Sequence, residues 1–218
     1  MTTGTAGVTA GAATRVKVCG VTTVEQAVAC ADLGVDALGV NFVASSPRRV
    51  GEGLARSVVE AVGTRVLVVA VVAGMTVEAM RGLVLRTGVG CLQLHGEETA
   101  AEVSALLPHA YKAVRVGGPE DVAVAEAMPG EYVMVDALVP GALGGTGHAF
   151  DWSLVVALAA RRRLTLAGGL TPDNVGAAVT LVRPWCVDVA SGVESTPGVK
   201  DLEKVRAFIE AARGTGAA

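Results

Sequence analysis

The stretch "RVKVCGVTTVEQAVACADLGVDALGVNF", residues 15–42, decides how the whole chain is read. A short apolar run rich in valine ends at Cys19-Gly20, a segment of helical period follows over 24–34, and a second apolar run occupies 37–42. A strand, a helix and another strand in so few residues make a parallel unit, because parallel strands need a crossover and a helix supplies it. The same alternation runs on to the end of the chain. Its spacing predicts strands over 15–20, 37–42, 66–72, 91–95, 111–116, 132–136, 164–168 and 186–190. Helices are predicted over 24–34, 52–62, 76–87, 97–107, 119–128, 151–160, 172–182 and 199–212. Several of these carry start signals, among them Thr76 with Glu78, Pro119 with Glu120 and Asp121, Asp151, and Pro172 with Asp173. Eight such pairs without a linker-like change in composition predict an α/β chain with one closed (β/α)8 TIM barrel of parallel strands over 15–214. A Thr/Gly/Ala-rich tail over 1–14, expected to be disordered, precedes the barrel, and a short tail over 215–218 follows it. A doubly wound open sheet is the alternative. It would call for a Gly-rich dinucleotide loop after the first strand or a G-x-x-x-x-G-K-[ST] loop, and neither is present.

Composition narrows the function. The net charge of −3 and a pI near 5.6 argue against a nucleic-acid surface, which needs a basic face. The one basic run, Arg161 to Arg163, reads as a solvated turn. The longest apolar run, around residues 65–73, suits a buried strand, since a membrane span needs about 18 apolar residues or more. The N-terminus has neither the basic start nor the apolar core of a signal peptide, so a soluble, cytoplasmic protein is expected. Cys19, Cys30, Cys91 and Cys186 are scattered, with no Cys-x-x-Cys pair and no histidine at ligand spacing. Reduced thiols fit better than disulfides or a metal centre.

The barrel reading directs attention to the loops after each strand's C-terminal end, where barrels hold their chemistry. Those loops carry Cys19-Gly20, Asn41 with "SSPRRV", Gln93 and His95, Arg115, Asp136, "LGGTG", Gly168-Gly169 and "SGVES". Glycines in "LAGGLTPDN" (166–174) and "VDVASGVES" (187–195) would let backbone N–H groups approach an oxyanion at strands 7 and 8, the usual barrel phosphate site. The plain alternative is that Gly168, Gly169 and Gly192 only relieve crowding at turns. Asp136 follows the apolar "YVMV" and would stand at the mouth partly desolvated, which favours a carboxyl able to hold and deliver a proton; the alternative is a structural cap. Cys19 reaches the same height on strand 1. A lone cysteine is commonly buried and inert, but a nearby cation could favour its thiolate, and Lys17 lies two residues back on the same side of the strand. Cys30 on a helix, and Cys91 and Cys186 at strand starts, read as structural. Arg48 and Arg49, beside Ser45, Ser46 and Pro47, offer a fork for a second acidic group. His95 can line the mouth, whereas His109 and His148 read as loop residues.

With these residues on the page, the chain resembles the phosphoribosylanthranilate isomerase family of tryptophan biosynthesis. The resemblance rests on "VKVCGVTT", "ALGVNFVASSPRRV", "CLQLHGEE", "YKAVRV", "VMVDALVPGALGGTGHAFDWS", "LAGGLTPDNV" and "VDVASGVESTPGVKD", in the family's order from about residue 15 to 201. It implies an Amadori rearrangement with Cys19 as general base, not nucleophile, and Asp136 as general acid. Arg48 is implied to meet the anthranilate carboxylate, and Gly168, Gly169, Ser191 and Gly192 to hold the phosphate. Gly144, Gly145 and Thr146 belong to a mobile cover, and Gln93, His95 and Asp188 are placed among the substrate-contacting residues. No cofactor or metal is implied, the partner is a phosphorylated small molecule, and the family suggests a monomer or homodimer. Two departures stand out: "VVAVVAG" over 68–74 lacks the aromatic residue and Asn common there, and Arg49 replaces a common Tyr. A related aldose–ketose isomerase, or a phosphosugar-binding barrel without activity, is the competing reading. Indoleglycerol-phosphate synthase fits poorly, because Lys17, Lys112, Lys200 and Lys204 form no evident lysine-rich site.

Overall fold

A computed structural model describes residues 13–137 and 151–214. The strands are β1 (Arg15–Cys19), β2 (Ala37–Asn41), β3 (Leu67–Val72), β4 (Cys91–Leu94), β5 (Ala110–Val116), β6 (Tyr132–Ala137), β7 (Arg163–Ala167) and β8 (Cys186–Val189). They hydrogen-bond in chain order, and β8 returns to β1 to close the barrel, with Lys17 paired to Ala37 on one side and Asp188 on the other. Helices α1 (Val24–Asp32), α2 (Glu52–Val62), α3 (Val77–Thr87), α4 (Ala100–Leu106), α5 (Pro119–Ala127), α6 (Ser153–Ala159) and α7 (Val175–Val182) connect them, and α8 (Leu202–Gly214) ends the described chain. The α/β class and the closed (β/α)8 barrel are those read from the alternation.

Parallel strands buried on both faces read as near-continuous apolar runs, and "LVVAVV" of β3 is the clearest case. One face of the strands, with Val16, Val18, Leu38, Val40, Val68 and Ala70, packs on the helices as the main core. The lumen holds a small separate cluster of Ala113, Met134 and Ala167 against Tyr111. Val69 and Val71 face the lumen as well, but its middle also carries polar groups: Lys17 on β1 reaches Gln93 on β4 across the barrel, and both are 2% exposed. Buried groups of this kind must be mutually satisfied, so the lumen is a hydrogen-bonded plug.

The N-terminal end of the barrel is closed by stacking. The Arg15 guanidinium lies 4.9 Å from the Trp185 ring, Trp185 meets Tyr132 edge-on at 4.9 Å, and Arg163 covers Tyr132 at 5.3 Å. Arg163 therefore opens β7 as an anchored residue. Arg161 bonds Glu126 and Arg162 the carbonyls of Glu126 and Gly130, so the basic run is an exposed turn, as read, that also clasps the turn before β6.

Helix starts moved for identifiable reasons. Residues 97 and 98 stay outside α4 because the Glu98 carboxylate takes the Gly96 N–H and the Lys112 ammonium, while Thr99 and Glu102 form the capping box. Pro172 and Asp173 form a turn before α7, closed where Asn174 Oδ1 accepts from the Thr171 N–H at 2.8 Å. The helix predicted from 199 begins at Leu202, because Val199–Lys200 forms a strand, β10, antiparallel to β9 (Glu194–Thr196). Among the described residues no helix is long and apolar enough to cross a membrane.

Candidate active site

The C-terminal ends of the strands surround a cavity of about 310 Å³. Cys19 from β1 and Asp136 from β6 both line it, with Gln93 from β4, His95 just after β4 and the loops that follow β7 and β8. The cavity thus gathers Gly168, Gly169, Asp188, Ser191 and Gly192 with the two candidate acid–base groups. Gly144, Gly145 and Thr146, together with Gly147 and His148, lie outside the described residues.

Cys19 closes β1 and is 9% exposed. Its thiol has room because the facing residue on β2 is Gly39, where a Cβ would come within 2.6 Å of Sγ. Gly20, at φ +78°, turns the chain away immediately afterwards, a conformation glycine adopts without strain. Burial pushes the Cys19 thiol up; Lys17 is the strongest opposing influence, Asp188 adds to the rise, and Lys200 pulls down more weakly. The cation foreseen beside the thiol is therefore in place, but burial outweighs it and favours the protonated sulfur. Burial raises the other cysteines as well, Cys30 and Cys91 to about 11 and Cys186 to about 12.

Beneath Cys19, Lys17 Nζ donates to Asp188 Oδ1 at 2.9 Å and to Gln93 Oε1 at 3.0 Å. Asp188 lines the cavity floor and, at 6% exposure, pairs its carboxylate with Lys17. Gln93 is likewise occupied, accepting from Lys17 and from the Tyr111 hydroxyl at 3.0 Å. His95 Nε2 stands 3.3 Å from Asp136 Oδ2, with side-chain exposures of 20% and 31%. Asp136 is thus accessible and partnered, less enclosed than its apolar strand suggests.

Arg48 already holds a carboxylate. Its Nε and Nη2 fork onto Glu194 at 2.7 and 2.6 Å, and Lys200 Nζ donates to the same carboxylate at 2.7 Å. Lys200, with its side chain wholly buried, also donates to the carbonyl of Cys19 at 2.6 Å and to that of Ala190 at 3.2 Å. It ties the end of β1 to the end of β8. Glu194 and Lys200 were quoted in the sequence motifs without a role; being buried charges, they could be assigned one only once their partners were known.

The loops after β7 and β8 interlock. Gly168 and Gly169 take φ of +94° and +64°, and Asn174 Nδ2 donates to the Gly169 carbonyl at 3.0 Å, fixing the turn. A Cβ on Gly192 would overlap the Leu170 carbonyl oxygen, so the β8 loop can pass only as glycine. A second cavity of about 260 Å³ adjoins at His95, where the Glu98–Lys112 pair meets exposed Arg115.

Comparison with known proteins agrees with this geometry. Residues 16–211 match the family described as PRAI, N-(5′-phosphoribosyl)anthranilate (PRA) isomerase. A protein of that name from Geobacter sp. (strain M21) is 43% identical over 204 residues, covering 92% of this chain and 98% of its own length. One from Pseudomonas aeruginosa (strain UCBPP-PA14) is 45% identical over 207 residues, covering 92% and 96%. Among solved structures, phosphoribosyl anthranilate isomerase from Thermotoga maritima superposes with a TM-score of 0.85 at 35% identity, covering 92% of this chain and 99% of that one. A PRAI crystal structure in complex with reduced 1-(o-carboxyphenylamino)-1-deoxyribulose 5-phosphate gives 0.82 at 32%, with coverage of 92% and 99%.

Proposed function

The chain belongs to the N-(5′-phosphoribosyl)anthranilate isomerase family, and from that premise we propose that Asp136 and Cys19 are the acid and base with which it works. The reaction is the aldose–ketose isomerisation of tryptophan biosynthesis, from N-(5′-phosphoribosyl)anthranilate to 1-(2-carboxyphenylamino)-1-deoxyribulose 5-phosphate. The carrying observation is that Cys19 and Asp136, from strands well separated around the ring, line one cavity with the interlocked β7 and β8 loops. A substrate held by its phosphate at those loops lays its ribose between the two groups.

Asp136 gives its proton to the ribose ring oxygen as the C1′–O4′ bond breaks, and the nitrogen lone pair forms the Schiff base. Cys19, as thiolate, then takes the C2′ proton, and the electron pair of that bond neutralises the iminium to the enolamine. Tautomerisation moves the hydroxyl proton of C2′ to C1′ and leaves the ketone. The step on Cys19 requires ionisation of a thiol whose protonated form burial favours, and Lys17 is the cation that balances the new charge. Arg48, its Nε and Nη2 oriented by Glu194, is the cation we assign to the anthranilate carboxylate. The protein works in the cytoplasm, as a monomer or a homodimer.

Purified protein given freshly generated phosphoribosylanthranilate should abolish the fluorescence of that compound far faster than buffer alone. Decay at the uncatalysed rate would sink the reading. The phosphate corner has its own test. Gly192→Ala forces the β8 loop off the Leu170 carbonyl, and overpacking of this kind costs about 1–3 kcal/mol. The variant should melt at a lower temperature and show a KM raised about tenfold or more, since backbone donors no longer converge on the phosphate. An unchanged KM would move the phosphate elsewhere.

A further inference from the structure

Asp136 can act as an acid only if its proton faces the substrate, and the lumen holds an arrangement that decides this. Lys17 Nζ lies 3.0 Å from one end of the Gln93 amide. An ammonium only donates, so that end of the amide is its oxygen. The Tyr111 hydroxyl, 3.0 Å from the same oxygen, donates there too, and burial raises this phenol well above its ordinary range, which keeps its proton in place. Lys17 remains an ammonium as well: burial is the largest influence and opposes the charge, but Asp188 at 2.9 Å together with Cys19 and Tyr111 outweighs it and holds Lys17 above its ordinary range.

With its oxygen committed, Gln93 turns its NH2 to His95 Nδ1, 3.1 Å away. An amide nitrogen only donates, so Nδ1 must accept, and the single proton of the neutral ring must sit on Nε2, 3.3 Å from Asp136 Oδ2. We propose that Gln93, polarised by the buried Lys17–Asp188 pair and Tyr111, is a positioning residue that locks His95 in its Nε2–H tautomer and thereby directs the Asp136 proton to the substrate. An Nε2–H facing Oδ2 from 3.3 Å makes that oxygen the acceptor, so the proton of the carboxylic acid lies on Oδ1, the oxygen left for the ribose. The opposite tautomer would draw the proton from Oδ2 towards the imidazole. The same N–H then stabilises the carboxylate that remains once the proton has gone. The catalytic consequence rests on Asp136 being the acid; the tautomer itself does not.

The test is a long-range ¹H–¹⁵N correlation spectrum of protein labelled at its three histidines, recorded near pH 8, where an ordinary imidazole is neutral, with His95→Asn to assign the signals. His95 should show the Nε2–H pattern; Nδ1–H in the wild type would overturn the proposal. Gln93→Met keeps the bulk and removes the donor, so the His95 nitrogens should shift towards a mixture of tautomers, and kcat should fall about tenfold with KM within about twofold. Unchanged shifts with unchanged kcat would also overturn it. If Gln93→Met does not fold, the wild-type pattern decides alone. A tautomer that loosens in Gln93→Met without loss of kcat, together with full turnover in Asp136→Asn, would instead reject the acid assignment and leave the lock standing.

Discussion

Asp136→Asn is expected to lower kcat by about 10²- to 10⁴-fold, the range a positioned general acid contributes, with KM little changed. The substitution is nearly isosteric. The Asn oxygen can take the place of Oδ2 facing His95 Nε2, so the side chain should keep its position 3.3 Å from the ring. Its NH2 then faces the cavity where the carboxylic acid stood, able to hydrogen-bond the ring oxygen but unable to give it a proton. Because Asp136 is at the rim, 31% exposed, and holds no buried charge, the melting temperature should move little. The pattern sought is therefore a large loss in kcat on an intact fold, read from the decay of substrate fluorescence and from thermal unfolding followed by circular dichroism. Turnover within a few-fold of wild type would remove Asp136 from the chemistry and transfer the acid role to another group at the mouth.

Why the barrel was legible, and the wiring inside it less so, follows from what each depends on. A parallel strand covered on both faces must be apolar along its length, so "LVVAVV" and "YVMVD" announce themselves locally, and each strand falls within a residue or so of its predicted span. Cys19 and Asp136 were found by the same local logic, as chemically able residues at strand ends. Helix starts were less legible because side chains elsewhere compete for the first turn: Glu98 is drawn to Lys112, and Asn174 serves the preceding loop. The β9–β10 hairpin is too short to show an alternating pattern.

Partner choice was the least legible feature. Arg48 and Glu194 are 146 positions apart, Lys17 and Gln93 76, and Lys17 and Asp188 171. Nothing in local composition says which carboxylate an arginine fork will hold, so Arg48 read as a free fork and is found holding Glu194. The same limit applied to the thiol. Lys17 was correctly placed on the face of Cys19, but which of two opposing effects prevails depends on burial, and burial prevails.

That balance sets the behaviour expected of Cys19. On the proposed mechanism Cys19→Ala should lower kcat by about 10²- to 10⁴-fold without unfolding the protein, since it deletes one atom from a side chain that lines the cavity. The wild-type pH profile carries the sharper information. The active form of the base is the thiolate, and burial lifts the thiol above its ordinary 9.0, so the thiolate fraction is small at neutral pH and grows as pH rises. The value of kcat/KM, which reports the free enzyme, should therefore climb with pH through the neutral and mildly alkaline range. Alkylation of Cys19 by iodoacetamide, followed by intact-mass analysis, should climb along the same curve, because the thiolate is also the form that alkylates. Cys30, Cys91 and Cys186, raised to about 11, 11 and 12, should lag behind it. Lys17→Met takes away the strongest opposing influence and should carry both curves to higher pH together. A kcat/KM flat over that range, while alkylation rises, would mean that Cys19 ionises without serving as the base. A stable covalent adduct with substrate, seen by mass, would make it a nucleophile instead.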